Sequence, residues 1–415
     1  AMAPAHPPTG RRALLALSSS HPPIGRRVLG ANDTARPAPA VAPRAEPSQA
    51  VAGQMFTSQS WFERDIPIEA AEELRPRSCR IIDPDPCMAP IPPYKDRLSF
   101  DGTNGHMHEG GPWEKTRATH RGRILSLLTN LADIKRELGE AIAPLDRTRP
   151  VVVMPVNEGY MSLFVNFLES CKRANIKIKE QMVVFPASRA LHEKVIAMGL
   201  VSFWSDALVT KRISDKAAGA YGDTTFLDMM WVKTVSVWLV LQLKRDLIFQ
   251  DCDMVWLKDP VPYINDANCV HEGEDSDAIF QHDGAVSRRF APYFACSGFF
   301  FLRSNWRVNE FWSSVLYSDL TWFWRSQQAP INYALGGSCR TGLRVNILCE
   351  ETFINGKIMI GLERGKRKWE ELRPVVAHVN WTLNMTDKVN RMKKLGLWLI
   401  EGDGMDGAGE GVASQ

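Results

Sequence analysis

Between residues 124 and 138 the apolar side chains Ile124, Leu127, Leu128, Leu131, Ile134 and Leu138 recur at helical spacing, which predicts one amphipathic helix. After Pro150 short apolar runs replace that pattern. Residues 151–156 read as a buried strand, Asn157-Glu158-Gly159 as the turn that ends it, and residues 160–173 as a helix. Strands are predicted next at 181–186 and 201–204, with a helix at 191–198 between them. A long helix over 226–243 leads into the apolar run Leu247-Ile248-Phe249, and further strands are expected at 278–281, 296–303, 343–348 and 375–379. Helices are expected around 308–316 and 388–399. Strands alternating with helices predict an α/β fold, a Rossmann-type, mainly parallel sheet covered by helices on both faces. In such sheets ligands bind at the carboxyl ends of the strands. Asn157-Glu158-Gly159 and Asp251-Cys252-Asp253 both fall on that edge.

The first part of the chain has no such pattern. Residues 1–54 are rich in Pro, Ala and Arg and predict a disordered stem; 16 of the 26 prolines lie in the first 100 residues. Residues 55–147 read as a partly ordered extension that ends in the amphipathic helix, 148–400 as the α/β domain, and 401–415 as a disordered tail. No run of 18 apolar residues occurs, so membrane attachment is expected only through an anchor absent from this sequence. The net charge of +3 gives no electrostatic support for nucleic-acid binding. None of the eight cysteines forms a CxxC pair, which argues against a zinc ribbon, and the Cys79/Cys87 and Cys339/Cys349 spacings would each allow a short disulfide loop.

The chemistry concentrates at Phe249-Gln250-Asp251-Cys252-Asp253-Met254-Val255-Trp256. An apolar strand runs directly into two carboxylates, and strand alternation would aim both at one side. Carboxylate oxygens suit hard divalent cations, which share them with substrate phosphates. Two other Asp-x-Asp triplets, Asp83/Asp85 and Asp275/Asp277, follow no apolar strand and read as solvated surface. Near the end of the chain His378 closes a short apolar run and Lys388 follows in a basic segment. A strand-end His can complete the metal ligand set of Asp251 and Asp253, and a Lys can neutralise a diphosphate leaving group. Of the sequons at Asn32, Asn380 and Asn384, the second lies too close to that site to carry a glycan.

From about Pro150 to Trp398 the chain resembles the plant and algal nucleotide-diphospho-sugar transferases, which include the rhamnogalacturonan-II xylosyltransferases and the extensin arabinosyltransferases. The matching stretches run in order: Val152 to Tyr160, Asn166 to Ser170, Phe249 to Pro260, Ser297-Gly298 to Ser304, Gln328 to Asn332, His378-Val379-Asn380, Lys388 and Gly396-Leu397-Trp398. The resemblance implies a GT-A fold, a UDP-sugar donor, Mn²⁺ or Mg²⁺, anomeric retention, a polysaccharide or glycoprotein acceptor, and a Golgi location behind an N-terminal anchor. It implies metal ligation by Asp251, Asp253 and His378. It places Asn157, Gly159, Tyr160, Lys233, Asp251 and Asn380 at the nucleotide or donor, and gives catalytic positions to Lys388, Asp283 and Gln328. Asp283 would bind donor hydroxyls or else serve as a turn residue, and Gln328 is too poor a nucleophile for more than positioning. Two departures bear on sugar specificity: the family's Asp-Gln pair is Gln327-Gln328 here, and its Asn before Ser/Thr-Gly is Cys296. They leave a non-catalytic glycan- or nucleotide-binding protein on the same fold as the rival expectation. A two-metal phosphoesterase lacks the further His/Asp clusters it would need.

Overall fold

A computed structural model describes residues 112–401, apart from 210–212, 215, 219–222, 265–275, 285–294, 319–325 and 338–341. The stem, the tail, Asp83/Asp85, Asn32, and Cys79, Cys87, Cys269 and Cys339 lie outside the described residues. The expected amphipathic helix is two, α1 (Pro112–Thr129) and α2 (Leu131–Ile142). They part at Asn130, whose side-chain amide donates to the Ser126 carbonyl at 2.8 Å. The break turns Leu128 outward (44% exposed), while Ile134, Leu138 and Ile142 stay buried in the same apolar cluster as Val151 and Val153.

Among the described residues ten strands form two sheets. The larger has the order β3-β2-β1-β4-β7-β6-β8, from β1 (Val151–Val156), β2 (Met182–Pro186), β3 (Val201–Ser202), β4 (Leu247–Gln250), β6 (Ala278–His282), β7 (Ala295–Leu302) and β8 (Val345–Leu348). The smaller is β5-β10-β9, from β5 (Met254–Trp256), β9 (Phe353–Ile354) and β10 (Val376–His378). All pairings in the larger sheet are parallel except those of β7, which runs against both β4 and β6. The central strands are apolar at every position because both faces are covered. Alternate residues divide between two cores: Val151, Val153 and Phe249 face one, Val152, Met154 and Ile248 the other.

The first core packs α2, α5 (Thr224–Gln242) and α6 (Trp306–Tyr317) against the sheet. The second packs α3 (Met161–Arg173), α4 (Arg189–Ala197) and the small sheet. Helix α5 begins at an Asp223 cap, whose carboxylate accepts from the Phe226 N–H at 2.8 Å. By length and composition it is apolar enough to cross a bilayer, yet most of that stretch is buried within the fold. Two further helices, α7 (Gln328–Gly337) and α8 (Gly356–Glu363), have no counterpart among the expected elements, and α9 (Met385–Lys394) starts and ends earlier than the basic segment suggests.

One surface assignment is corrected. Asp277 is fully buried: Arg307 grips it through Nη2 at 2.7 Å and Nε at 2.8 Å, and Asn305 and the Arg344 N–H complete its shell. Spacing alone does not reveal that an acidic residue just before a strand faces two arginines. Cys349 is disulfide-bonded, whereas Cys171, Cys252 and Cys296 are free and buried.

Candidate metal and nucleotide-sugar site

Strand β4 ends at Gln250, so Asp251-Cys252-Asp253 is a turn between two strands of different sheets and not a continuing strand. The expected alternation therefore does not aim the carboxylates; the turn does. It is pinned by the Asp251 N–H to the Gly298 carbonyl at 2.9 Å and by the Val379 N–H to the Asp253 carbonyl at 3.0 Å. Strand β10 pairs antiparallel with β5, setting His378 opposite Met254. Potential ligand atoms of Asp251, Asp253 and His378 consequently lie within 4.8 Å of one another. His378 Nε2 is 3.5 Å from Asp253 Oδ1.

Two lysines face these carboxylates. Lys233, on α5, brings Nζ to 2.5 Å from Asp251 Oδ1. Lys388, in the first turn of α9, pairs with Asp253 Oδ2 and donates to the Val379 carbonyl at 3.0 Å. Burial alone would raise the Asp253 carboxyl, but the Lys388 ammonium opposes that and holds it well below the usual carboxylate range. The side chain is thus anionic at neutral pH.

These residues fit a hard divalent cation, with two carboxylates and one imidazole converging from two segments. Gly298 supplies a second sign of the fit. A Cβ there would lie 2.4 Å from His378 Cε1, 2.9 Å from Nε2 and 3.1 Å from Asp251 Oδ2, so any side chain would fill the space between two ligands. The main-chain path that allows this follows from an irregularity: the β6–β7 register slips between Phe280/Phe300 and His282/Ala295, around residues 296–298.

Gln328, Asp283 and Asn380 form one connected cluster. Gln328 Oε1 accepts from the Ser297 N–H at 3.1 Å and from its hydroxyl at 3.2 Å, and Gln328 hydrogen-bonds to Asp283. Asn380 Nδ2 donates to Asp283 Oδ1 at 3.4 Å, and Asn380 Oδ1 accepts from the Gly356 N–H at 2.5 Å. Burial pushes the Asp283 carboxyl up, against the pull of His282, Gln328 and His378. The two departures sit in the same place. The Cys296 sulfur is 3.6 Å from His378 Nδ1, and Gln327, 1% exposed, gives Nε2 to the Ser297 carbonyl at 3.4 Å while its Oε1 has no partner. Beyond Asn380, Trp381 holds a left-handed backbone (φ 58°) and gives its indole N–H to the Asp283 carbonyl at 2.7 Å.

Asn157, Gly159 and Tyr160 converge on Ser214, Lys216, Ala217 and Ala218. Asn157 Nδ2 donates to the Ser214 and Lys216 carbonyls at 3.3 and 3.0 Å, and its buried Oδ1 has no partner. A Cβ on Gly159 would come within 1.9 Å of the Ala217 nitrogen. Burial pushes the Tyr160 hydroxyl up to about 12, only partly offset by a backbone hydrogen bond at Ala218. The turn after β1 therefore holds a main-chain strap over this edge of the sheet, which its sequence did not suggest.

Gln281 was missed altogether. It is fully buried, and its Oε1 lies 2.8 Å from His378 Nδ1. A polar residue ending the apolar run Ala278-Ile279-Phe280 was the available signal.

The nucleotide-diphospho-sugar transferase family profile matches residues 180–392, half of the chain. A UDP-D-xylose:L-fucose alpha-1,3-D-xylosyltransferase 3 of Arabidopsis thaliana is 23% identical over 64% of this chain and 70% of its own. A UDP-galactose:fucoside alpha-3-galactosyltransferase of Dictyostelium discoideum is 27% identical over 47% of this chain and 32% of its own length. Among solved structures, the glycosyltransferase GlyE of Streptococcus pneumoniae is 12% identical with 61% of each chain covered, and its TM-score of 0.37 is too low to carry an argument. The seven-stranded sheet with its one reversed strand, helices on both faces and an acidic turn at the carboxyl edge of β4 is the GT-A arrangement that the sequence led us to expect. This chain belongs to the nucleotide-diphospho-sugar transferase family, and it is a glycosyltransferase that takes its sugar from an activated nucleotide donor.

Proposed function

We propose that the protein is a metal-dependent, retaining transferase that moves a pentose or galactose from a UDP-sugar to a fucose-bearing polysaccharide or glycoprotein in the secretory pathway, in the Golgi lumen. The observation that carries the reading is the convergence of Asp251, Asp253 and His378 beside Lys233 and Lys388. Asp251, Asp253 and His378 would hold Mn²⁺ or Mg²⁺, which when bound supplies positive charge to the diphosphate. Lys388 and Lys233 supply further charge as the bond between the anomeric carbon and the diphosphate oxygen breaks. The acceptor hydroxyl oxygen forms the new bond to that carbon on the same face, and its proton passes to the departing phosphate oxygen. Among the described residues no carboxylate is placed as a nucleophile: Gln328 is an amide tied to Ser297, and Asp283 is bound by Gln328 and Asn380. That favours front-face attack over a covalent intermediate. Gln328 and Asp283 then orient the sugars, and Asn157 offers its unpartnered Oδ1 to the base. The fucose acceptor rests on the specificity that the xylosyl- and galactosyltransferase relatives share although their donors differ.

The test is product formation with UDP-xylose, UDP-arabinose and UDP-galactose on an α-L-fucoside, with anomeric configuration read by NMR. A product from one donor that keeps that donor's anomeric configuration supports the proposal, and an inverted product overturns the retaining part of it. Gln327 in place of the family's Asp favours the rival, a binder without turnover. Under that reading UDP binds but no donor releases UDP in any acceptor's presence.

A further inference from the structure

The imidazole of a metal-binding His must present a bare nitrogen, and what protonates the other nitrogen decides which one that is. In this fold the decision falls to Gln281. Its side chain leaves β6 in the larger sheet and crosses to the smaller. There Nε2 gives its two protons to the Phe353 and Ile354 carbonyls of β9, each at 3.1 Å. With both amide protons spent there, the amide is held one way round, and its acceptor Oε1 meets His378 Nδ1 at 2.8 Å. An acceptor there requires Nδ1 to be the protonated nitrogen. The Cys296 sulfur is the other neighbour of Nδ1, at 3.6 Å, and it already receives the Gly298 N–H at 3.4 Å. It is the longer and weaker partner. Nε2, with its lone pair, is left facing Asp253 Oδ1.

The geometry points to Gln281 as a positioning residue that fixes His378 as the Nδ1–H tautomer and so dedicates Nε2 to a divalent cation. The arrangement also ties the ligand to both sheets, because β9 pairs with β10, the strand that carries His378. The inference rests on the metal reading proposed above. Its experiments separate the two, since the tautomer is read without metal.

Protein labelled with ¹⁵N-histidine is examined in the metal-free state by long-range ¹H–¹⁵N correlation, with His378 identified by its loss in His378→Asn. The expected pattern, read at a pH where the ring is neutral, is Nδ1 protonated and Nε2 bare; a neutral ring with its proton on Nε2 overturns the inference. Mn²⁺ affinity is then read by EPR. Gln281→Met should weaken binding about 10- to 100-fold, in line with losses of partners to metal-bound His. In a His378→Ala background the same change should do nothing further. An equal additional loss there would show that Gln281 acts through the general packing of the site, which also overturns the inference. If Gln281→Met does not fold, the tautomer of the unmutated protein decides alone. Unmutated protein that binds no Mn²⁺ but shows Nδ1–H would sink the metal reading and leave the Gln281–His378 assignment standing.

Discussion

Gly298→Ala is a one-carbon test of the site. The new methyl would stand 2.4 Å from His378 Cε1, whereas carbons rest at about 3.5–4.0 Å, so something must move by about 1 Å. His378 cannot turn aside cheaply. Its side chain is 3% exposed, its backbone pairs with Met254, and its Nδ1 is tied to Gln281. Moving the Gly298 backbone instead would strain the Asp251 N–H bond to the Gly298 carbonyl, at 2.9 Å. Either route displaces a ligand residue. Overpacking of this kind costs about 1–3 kcal/mol of stability. Metal sites tolerate only about 0.2 Å of ligand displacement, so the Mn²⁺ loss should far exceed the stability loss. The assays are a thermal melt, an Mn²⁺ EPR titration and metal-dependent UDP release. Gly122→Ala is the control. Gly122 lies in α1 with nothing within 4 Å of a Cβ, so alanine should stabilise by up to about 1 kcal/mol and leave metal binding alone. A Gly298→Ala protein with unaltered Mn²⁺ affinity would refute the reasoning.

Further outcomes follow from the same geometry. Lys388→Met should lower kcat by at least about tenfold, as loss of a charge that acts on the leaving group does, and should affect UDP affinity less; a pure KM effect in steady-state assays would contradict it. Gly159→Ala drives a methyl into the Ala217 main chain, so weaker UDP binding in calorimetry with Mn²⁺ affinity intact is expected. Asp277→Ala leaves the Arg307 guanidinium without its buried partner and should cost about 3–5 kcal/mol in chemical denaturation. Burial would raise Asp277, but hydrogen bonds from Arg307, Arg344 and Asn305 hold it below the ordinary carboxylate value. A carboxyl depressed in the folded state stabilises above its unfolded value and loses that contribution as pH falls, so the variant's deficit should shrink below about pH 4.

The sheet was legible because its strands are buried on both faces and so appear as continuous apolar runs, such as Val151–Val156. Asp251, Asp253 and His378 were legible as residue types at strand ends, though the reason given for their convergence was not. Strand alternation does not hold across a turn, and the convergence comes from β5 and β10 pairing in a second sheet that no local pattern announces. The same blindness to long-range pairing hid Gln281, whose partners lie 72 to 97 residues away. It also hid Asp277, where two arginines from distant segments turn an apparently solvated acid into a buried anchor. Helices α7 and α8 escaped because their polar residues serve the site: Gln328 and Asn332 bind the β7 backbone at Ser297 and Ala295, and Asn355 caps α8.

The central claim is that Asp251, Asp253 and His378 hold a divalent cation at which a UDP-sugar is broken. It is tested most directly by UDP release from UDP-xylose, UDP-arabinose and UDP-galactose with Mn²⁺ and a fucoside acceptor, with and without EDTA, for the unmutated protein and Asp253→Ala. Release from one donor that EDTA abolishes and Asp253→Ala lacks while still folded is the predicted result. Undiminished release in EDTA, or near-normal turnover by Asp253→Ala, would contradict the account.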